Sequence, residues 1–170
     1  MLNALPNPRH ACTPPTEPST PSSTRSFPIA LPGAPCIYYG DEIGLSAAGD
    51  PYCREAFPWD KEEWDMDLLS FYRAATALRH QHEVLRTGRV EVLQAEGQTL
   101  VFRRTRNDQT AIVAFNAGTK ATNVEIAPSA LPTAAFSSAW PPATNAGVAL
   151  QDAASPVRIP SRETRVRVTD

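Results

Sequence analysis

No C-x-x-C pair occurs in this chain, no apolar run nears the length of a membrane span, and neither sign of charge dominates. Each absence removes a class of protein. The three cysteines, Cys12, Cys36 and Cys53, have no ligand spacing with the three histidines, so neither a metal site nor a disulfide framework is indicated. A Cys36–Cys53 pairing is open on count alone, whereas Cys36, inside an apolar run, reads most simply as a core thiol. No segment approaches the apolar stretch of about 20 residues that a transmembrane helix needs. The N-terminus lacks the apolar core of a secretory signal, and a cytoplasmic location is expected. With 16 basic and 18 acidic residues, nothing favours nucleic acid or an anionic membrane as partner. No cofactor is implied.

What is present is globular on average, with 42% hydrophobic and 20% charged residues, but unevenly distributed. Pro6, Pro8, Pro14, Pro15, Pro18 and Pro21 punctuate the first stretch, and Thr13–Ser26 is mostly Ser, Thr and Pro. Such a segment buries too little apolar surface to offset its ordering entropy, so residues 1–28 are expected to be disordered. Pro15-Thr-Glu-Pro18 matches a bare P-x-x-P pattern without basic flanks.

From residue 29 the character changes. Ala34–Tyr39 is short, apolar and rich in β-formers, which predicts a buried strand. Asp41 and Glu42 follow at its carboxyl end, the edge where parallel α/β folds bind ligands. A loop with turn signals and aromatics (Tyr52, Phe57, Trp59) leads to Leu68, Phe71, Ala75 and Leu78 at helical spacing. Asp65 and Asp67 suit the start of that helix; Arg79, His80 and His82 suit its end. After Gly88 the period becomes two. Arg89–Leu93, Thr99–Thr105, Thr110–Asn116, Asn123–Ile126 and Thr164–Thr169 read as short strands, with a hairpin at 105–110. An α+β chain is expected: 29–87 as one βα unit, then an antiparallel β-sandwich over 88–170. The sandwich is expected to fold by itself, with 29–86 loosely held or driving self-association through its unpaired strand and helix faces.

Leu31-Pro-Gly-Ala-Pro-Cys-Ile-Tyr-Tyr-Gly-Asp-Glu-Ile-Gly44, with Gly49-Asp-Pro-Tyr-Cys-Arg54 and Phe57-Pro-Trp-Asp60, resembles the α-amylase family, glycoside hydrolase family 13. The spacing is similar to its neopullulanase, cyclomaltodextrinase and maltogenic-amylase branch. Phe71-Tyr-Arg-Ala-Ala-Thr-Ala-Leu-Arg79 resembles the last barrel helix, and Val113-Ala-Phe-Asn116 the C-terminal β-domain. The resemblance implies strand eight and helix eight of a (β/α)₈ barrel followed by the C-terminal sandwich. It also implies a parent enzyme that acts with retention on an α-glucan or maltooligosaccharide.

A complete barrel needs about 250 residues, yet 33 precede Ala34. The family carries its nucleophile, acid/base and third Asp after earlier strands, so no catalytic residue is assigned here. A retaining pair stands about 5–5.5 Å apart across the substrate, whereas Asp41 and Glu42 are adjacent and diverge. The chain is therefore expected to be inactive alone, and to be a truncated or frame-shifted product of a longer gene. The alternative is a standalone sandwich module that binds carbohydrate or protein.

Asp41, Glu42 and Arg54 are the candidates for the substrate-side rim. Each has a plainer reading: the carboxylates satisfy backbone donors in the Gly40–Gly44 turn, and Arg54 pairs with a loop carboxylate. Tyr52, Phe57, Trp59 and Trp140 either stack on sugar rings or pack the chain.

Overall fold

The computed structural model describes residues 29–45, 56–127, 131–132, 135–141 and 157–169. The disorder expected for 1–28, the Cys36–Cys53 pairing, Tyr52 and Arg54 lie outside these residues.

The described elements are α1 (Met66–Gln81), α2 (Glu83–Thr87), β1 (Arg89–Glu96), β2 (Thr99–Arg106), β3 (Gln109–Asn116), β4 (Thr122–Val124), β5 (Phe136–Trp140), β6 (Val157–Ile159) and β7 (Glu163–Thr169), and Ile29 and Ala30 are helical as well. Helix α1 starts where its sequence says. The Asp65 carboxylate accepts from the Leu68 N–H at 2.9 Å, satisfying one of the helix's orphan donors. At the other end His82 leaves helical geometry (φ −110°, ψ 101°) while its N–H donates to Leu78 O, and the chain re-enters a helix at once. Val84 and Leu85 on α2 are fully buried. No helix among the described residues is long and apolar enough to cross a membrane.

Strands β1, β2 and β3 form a meander closed by two-residue loops. Gly97 (φ 56°) and Asn107 (φ 50°) take the left-handed conformation at the first loop position, as tight hairpins with primed turns require. Glu96 pairs with Thr99, and Arg106 with Gln109. The sheet continues antiparallel in the order β1-β2-β3-β7-β5, and β4 pairs with β6 in a second, two-stranded sheet. The expected antiparallel domain is present. Strands β5 and β6 carry no sequence signal, because Phe-Ser-Ser-Ala-Trp and Val-Arg-Ile are too short to show a period.

The five-stranded sheet is covered on both faces. On one, Val101, Ile112 and Ala114 meet Val124, Ile126, Phe136 and Ile159 around the small sheet. On the other, Phe102, Ala111, Val113, Trp140, Val166 and Val168 meet Ala75 and Leu78 of α1, Val84 and Leu85 of α2, and Ile29 and Ala30. The ring of Phe71 on α1 stands edge-on to Trp140 at 5.4 Å. The α1 stripe thus lies on the antiparallel sheet.

Two expectations are corrected here. Residues 34–38 join neither sheet, and Ile37, Tyr38 and Tyr39 are 40%, 55% and 42% exposed. A strand exists through its ladder, and no described segment offers one to these residues. For the same reason Cys36 is exposed rather than a core thiol.

A chain cut back to Gly88–Asp170 strips one face of its sheet. Val84 and Leu85 alone each contribute about 1.5–3 kcal/mol by burial. The expected outcome in urea titration is a lower midpoint for Gly88–Asp170 than for Ile29–Asp170, with dye binding to the uncovered face. Equal midpoints would show that the helices add nothing.

Candidate functional site

Gly40 (φ 88°) and Gly44 (φ 77°) bracket one 3₁₀ turn, Asp41–Ile43. A Cβ at Gly40 would collide with the Leu45 side chain, so the turn needs glycine there. Ile43 is buried, and its carbonyl accepts from Asp65 N–H at 3.0 Å, docking the turn on the start of α1. Both rim candidates are engaged inside the turn. Asp41 Oδ2 accepts from Tyr38 N–H at 3.2 Å, and Glu42 Oε2 from Gly40 N–H at 2.9 Å. The third candidate, Arg54, lies outside the described residues, so neither of its readings is placed.

The aromatics divide. Trp64 packs the loop: its Nε1–H donates to Pro58 O at 2.8 Å, Phe57 stands edge-on at 5.8 Å, and the Lys61 ammonium lies 5.9 Å from the ring centre. Trp59 touches Phe57 at 5.0 Å but is 84% exposed. Asp60 caps the 3₁₀ turn Lys61–Glu63 by accepting from Glu62 N–H at 3.0 Å. Trp140, a candidate sugar platform, is buried in β5 against Phe71, which removes it from the surface. Among the described residues, no group of three or more His, Cys, Asp or Glu side chains gathers into a metal site.

The largest departure from the sequence reading is at Arg79. Expected to complement the α1 dipole from the surface, it is instead buried, and Nη1 donates to the carbonyls of Ile29 (2.6 Å), Leu31 (3.0 Å) and Leu85 (2.7 Å). Nη2 donates to Gly33 O. Beside it Arg104, 1% exposed on β2, donates from Nη1 to Ala30 O (3.0 Å) and Leu85 O (2.6 Å), and from Nη2 to Gly88 O (2.9 Å). Gly88 admits no side chain, because a Cβ there would overlap Val84 O. Burial lowers both guanidinium pKa values; Arg86 adds to the shift at Arg79, and Arg79 to that at Arg104. One signal for this was present in the sequence. Consecutive arginines at 103 and 104 on a strand must face opposite sides, so one of them had to enter the helix-covered layer.

Asn116 gives a physical reason for the Val113-Ala-Phe-Asn116 motif. It is 2% exposed; its Nδ2 donates to Lys120 O (2.8 Å) and Pro160 O (3.0 Å), and its Oδ1 accepts from Gly118 N–H at 2.8 Å. It ties the end of β3 to the loop after it and to the turn between β6 and β7.

Residues 88–135 match the family described as Alpha-amylase C-terminal domain. That stretch holds β1 to β4 and is similar to the C-terminal domain of α-amylases. Over 92 residues the chain is 42% identical to a cyclomaltodextrinase from a Bacillus species, covering 53% of this chain and 16% of that protein. An intracellular maltogenic amylase of Bacillus subtilis is 38% identical over 104 residues, covering 59% of this chain and 18% of that protein. Among solved structures, the cyclic alpha-maltosyl-(1→6)-maltose hydrolase of Arthrobacter globiformis superposes with a TM-score of 0.63 at 30% identity, over 85% of this chain and 29% of that one. The resemblance seen in the sequence is upheld by the family match, the relatives and the fold. The chain spans less than a fifth of the length of these curated relatives.

Arg104→Met keeps the apolar stem and removes donors to three carbonyls. Leaving buried carbonyls unpaired costs about 1–3 kcal/mol each, so a loss of roughly 2–4 kcal/mol is expected from urea titration after partial relaxation. A change below about 0.5 kcal/mol would dismiss the cradle as a stabilising feature. His82 provides a pH test. Burial lowers its pKa from the ordinary 6.5, so the unfolded chain takes the proton first and stability falls as pH drops below 6.5. In His82→Gln that part of the acid loss should disappear, read as a flatter midpoint-against-pH curve below neutrality; an unchanged slope would reject it.

Proposed function

We propose that this chain is the C-terminal piece of an α-glucan-acting, retaining glycoside hydrolase of the α-amylase family. On this reading residues 29–87 are the last βα unit of a (β/α)₈ barrel and residues 88–170 its C-terminal β-domain. The supporting observation is the reach of the fold match. It extends over 85% of the chain, well beyond residues 88–135 of the family match, which supports a relationship that is not confined to the β-domain. The parent's substrate is an α-glucan or maltooligosaccharide, a proposal supported by the names of the relatives. A cytoplasmic location draws the same kind of support from the intracellular maltogenic amylase.

The chain by itself is proposed to be inactive. Retaining hydrolysis needs two carboxyl groups on opposite sides of the glycosidic bond, about 5–5.5 Å apart. Asp41 and Glu42 are neighbours, each holding a backbone N–H of its own turn. On this reading they shape the substrate-side rim of the parent, whose reacting carboxylates belong to other strands of its barrel.

Purified chain incubated with soluble starch, pullulan and cyclodextrins should release no reducing sugar above blank; measurable release would overturn the inactivity. Calorimetric titration with maltooligosaccharides should show no saturable heat, and saturable binding would favour the standalone module. Reading the upstream nucleotides in all frames tests the origin: the absence of any barrel-coding sequence would end the reading as a C-terminal piece.

A further inference from the structure

Arginines gather on the face of the five-stranded sheet turned away from the helices. Arg103 on β2, Ile112 on β3 and Arg167 on β7 stand directly opposite one another, with Ser138 of β5 next in the row. Opposed residues share a face. Ile112 packs with Val124 and Ile159 of the small sheet, so this face is the one opposite α1 and α2. Arg165, two residues before Arg167 on β7, joins the group. Two strand spacings, about 9.6 Å, separate Arg103 from Arg167, and about 6.7 Å separates Arg165 from Arg167. At those spacings three long side chains with forked tips can converge on one small group.

The acids that serve these arginines lie on the outside of the group. Arg103 pairs with Glu91 on β1, one strand further out, and Arg165 pairs at 2.8 Å with Glu163, two residues further from Arg167. Arg167 stands between them, half-buried, with no ion pair or side-chain hydrogen bond among the described residues. Nε of Arg165 is buried and has no partner among them either. Burial and the neighbouring Arg165 lower the Arg167 pKa, as expected for a cation beside a like charge. Arg79 and Arg104 differ from it, because backbone carbonyls occupy their donors. The fork of Arg167 is left over.

We propose that Arg167, with Arg165 and Arg103 beside it, binds a phosphate group, either as the free ion or carried on a sugar. A guanidinium fork matches two phosphate oxygens in its plane. The dianion supplies the counter-charge that the three arginines lack after Glu91 and Glu163 are counted. Ser138, exposed and opposite Arg167, offers its hydroxyl as a further donor. A carboxylate also fits the fork but brings a smaller charge, so phosphate is the better match. The site lies away from the face on which α1 and α2 pack, and the proposal does not rest on the identity of the parent enzyme.

Calorimetric titration of the full chain with inorganic phosphate and with glucose 1-phosphate tests this, at about pH 7.5 where both are mostly dianionic. Sodium chloride of matched ionic strength is the control. Saturable binding with half-saturation at about 1 mM or below is expected, and the tighter of the two ligands assigns the source of the group. Arg167→Met should weaken binding at least about tenfold, whereas Arg73→Gln, at an exposed position on α1, should leave it unchanged. In urea titration about 20 mM phosphate should raise the midpoint of the unaltered chain by roughly 0.5–1 M and that of Arg167→Met hardly at all. Without phosphate, Arg167→Met should be at least as stable as the unaltered chain, because a like charge has gone. A lower midpoint there would show that Arg167 serves the fold, and would overturn the proposal. So would neither heat nor midpoint shift up to about 20 mM phosphate, an effect that chloride reproduces, or an Arg167→Met chain that binds like the unaltered one.

Discussion

The carbonyls of Ile29, Ala30, Leu31, Gly33, Leu85 and Gly88 converge on the guanidinium groups of Arg79 and Arg104, and the layering of the molecule depends on that convergence. Ile29 and Ala30 are buried and join no sheet, and their carbonyls are held by the arginines. Arginine suits the task because its planar fork offers several donors in fixed directions and stays charged. Leu85 O serves both cations. It belongs to the last turn of α2, where unpaired carbonyls carry partial negative charge.

This cradle connects three pieces that sequence alone keeps separate. Arg79 comes from α1, Arg104 from the middle of β2, and the acceptors from the lead-in segment and α2. Once they are joined, the apolar stripe of α1 can only fall on the helix-facing side of the sheet, beside Phe102, Val113 and Val166. Here the expectation that 88–170 folds as a separate unit meets a physical objection. Its sheet has two apolar faces, and the small β4–β6 sheet covers only one of them.

The acidic turn after residue 40 shows how a motif at a strand's end can carry structure before it carries chemistry. Asp41 and Glu42 satisfy donors that a glycine-bracketed turn would otherwise leave open. Similarity to cyclomaltodextrinases and maltogenic amylases places the chain near enzymes. The geometry of the turn supplies scaffold.

Periodicity in the sequence was enough to determine the elements whose side chains repeat. The 3.6-residue stripe from Leu68 to Leu78 and its Asp65 cap defined α1, and alternation defined β1, β2, β3 and β7 together with the hairpin at Asn107-Asp108. The glycine-bracketed turn was also legible, because left-handed backbone leaves few residue choices. Tertiary structure alone decided that Ala34–Tyr39 is exposed, that Trp140 is buried and that Arg79 turns inward. Periodicity is a property of neighbours along the chain, whereas a strand's ladder, a ring's cover and a guanidinium's acceptors come from residues as many as 74 positions away.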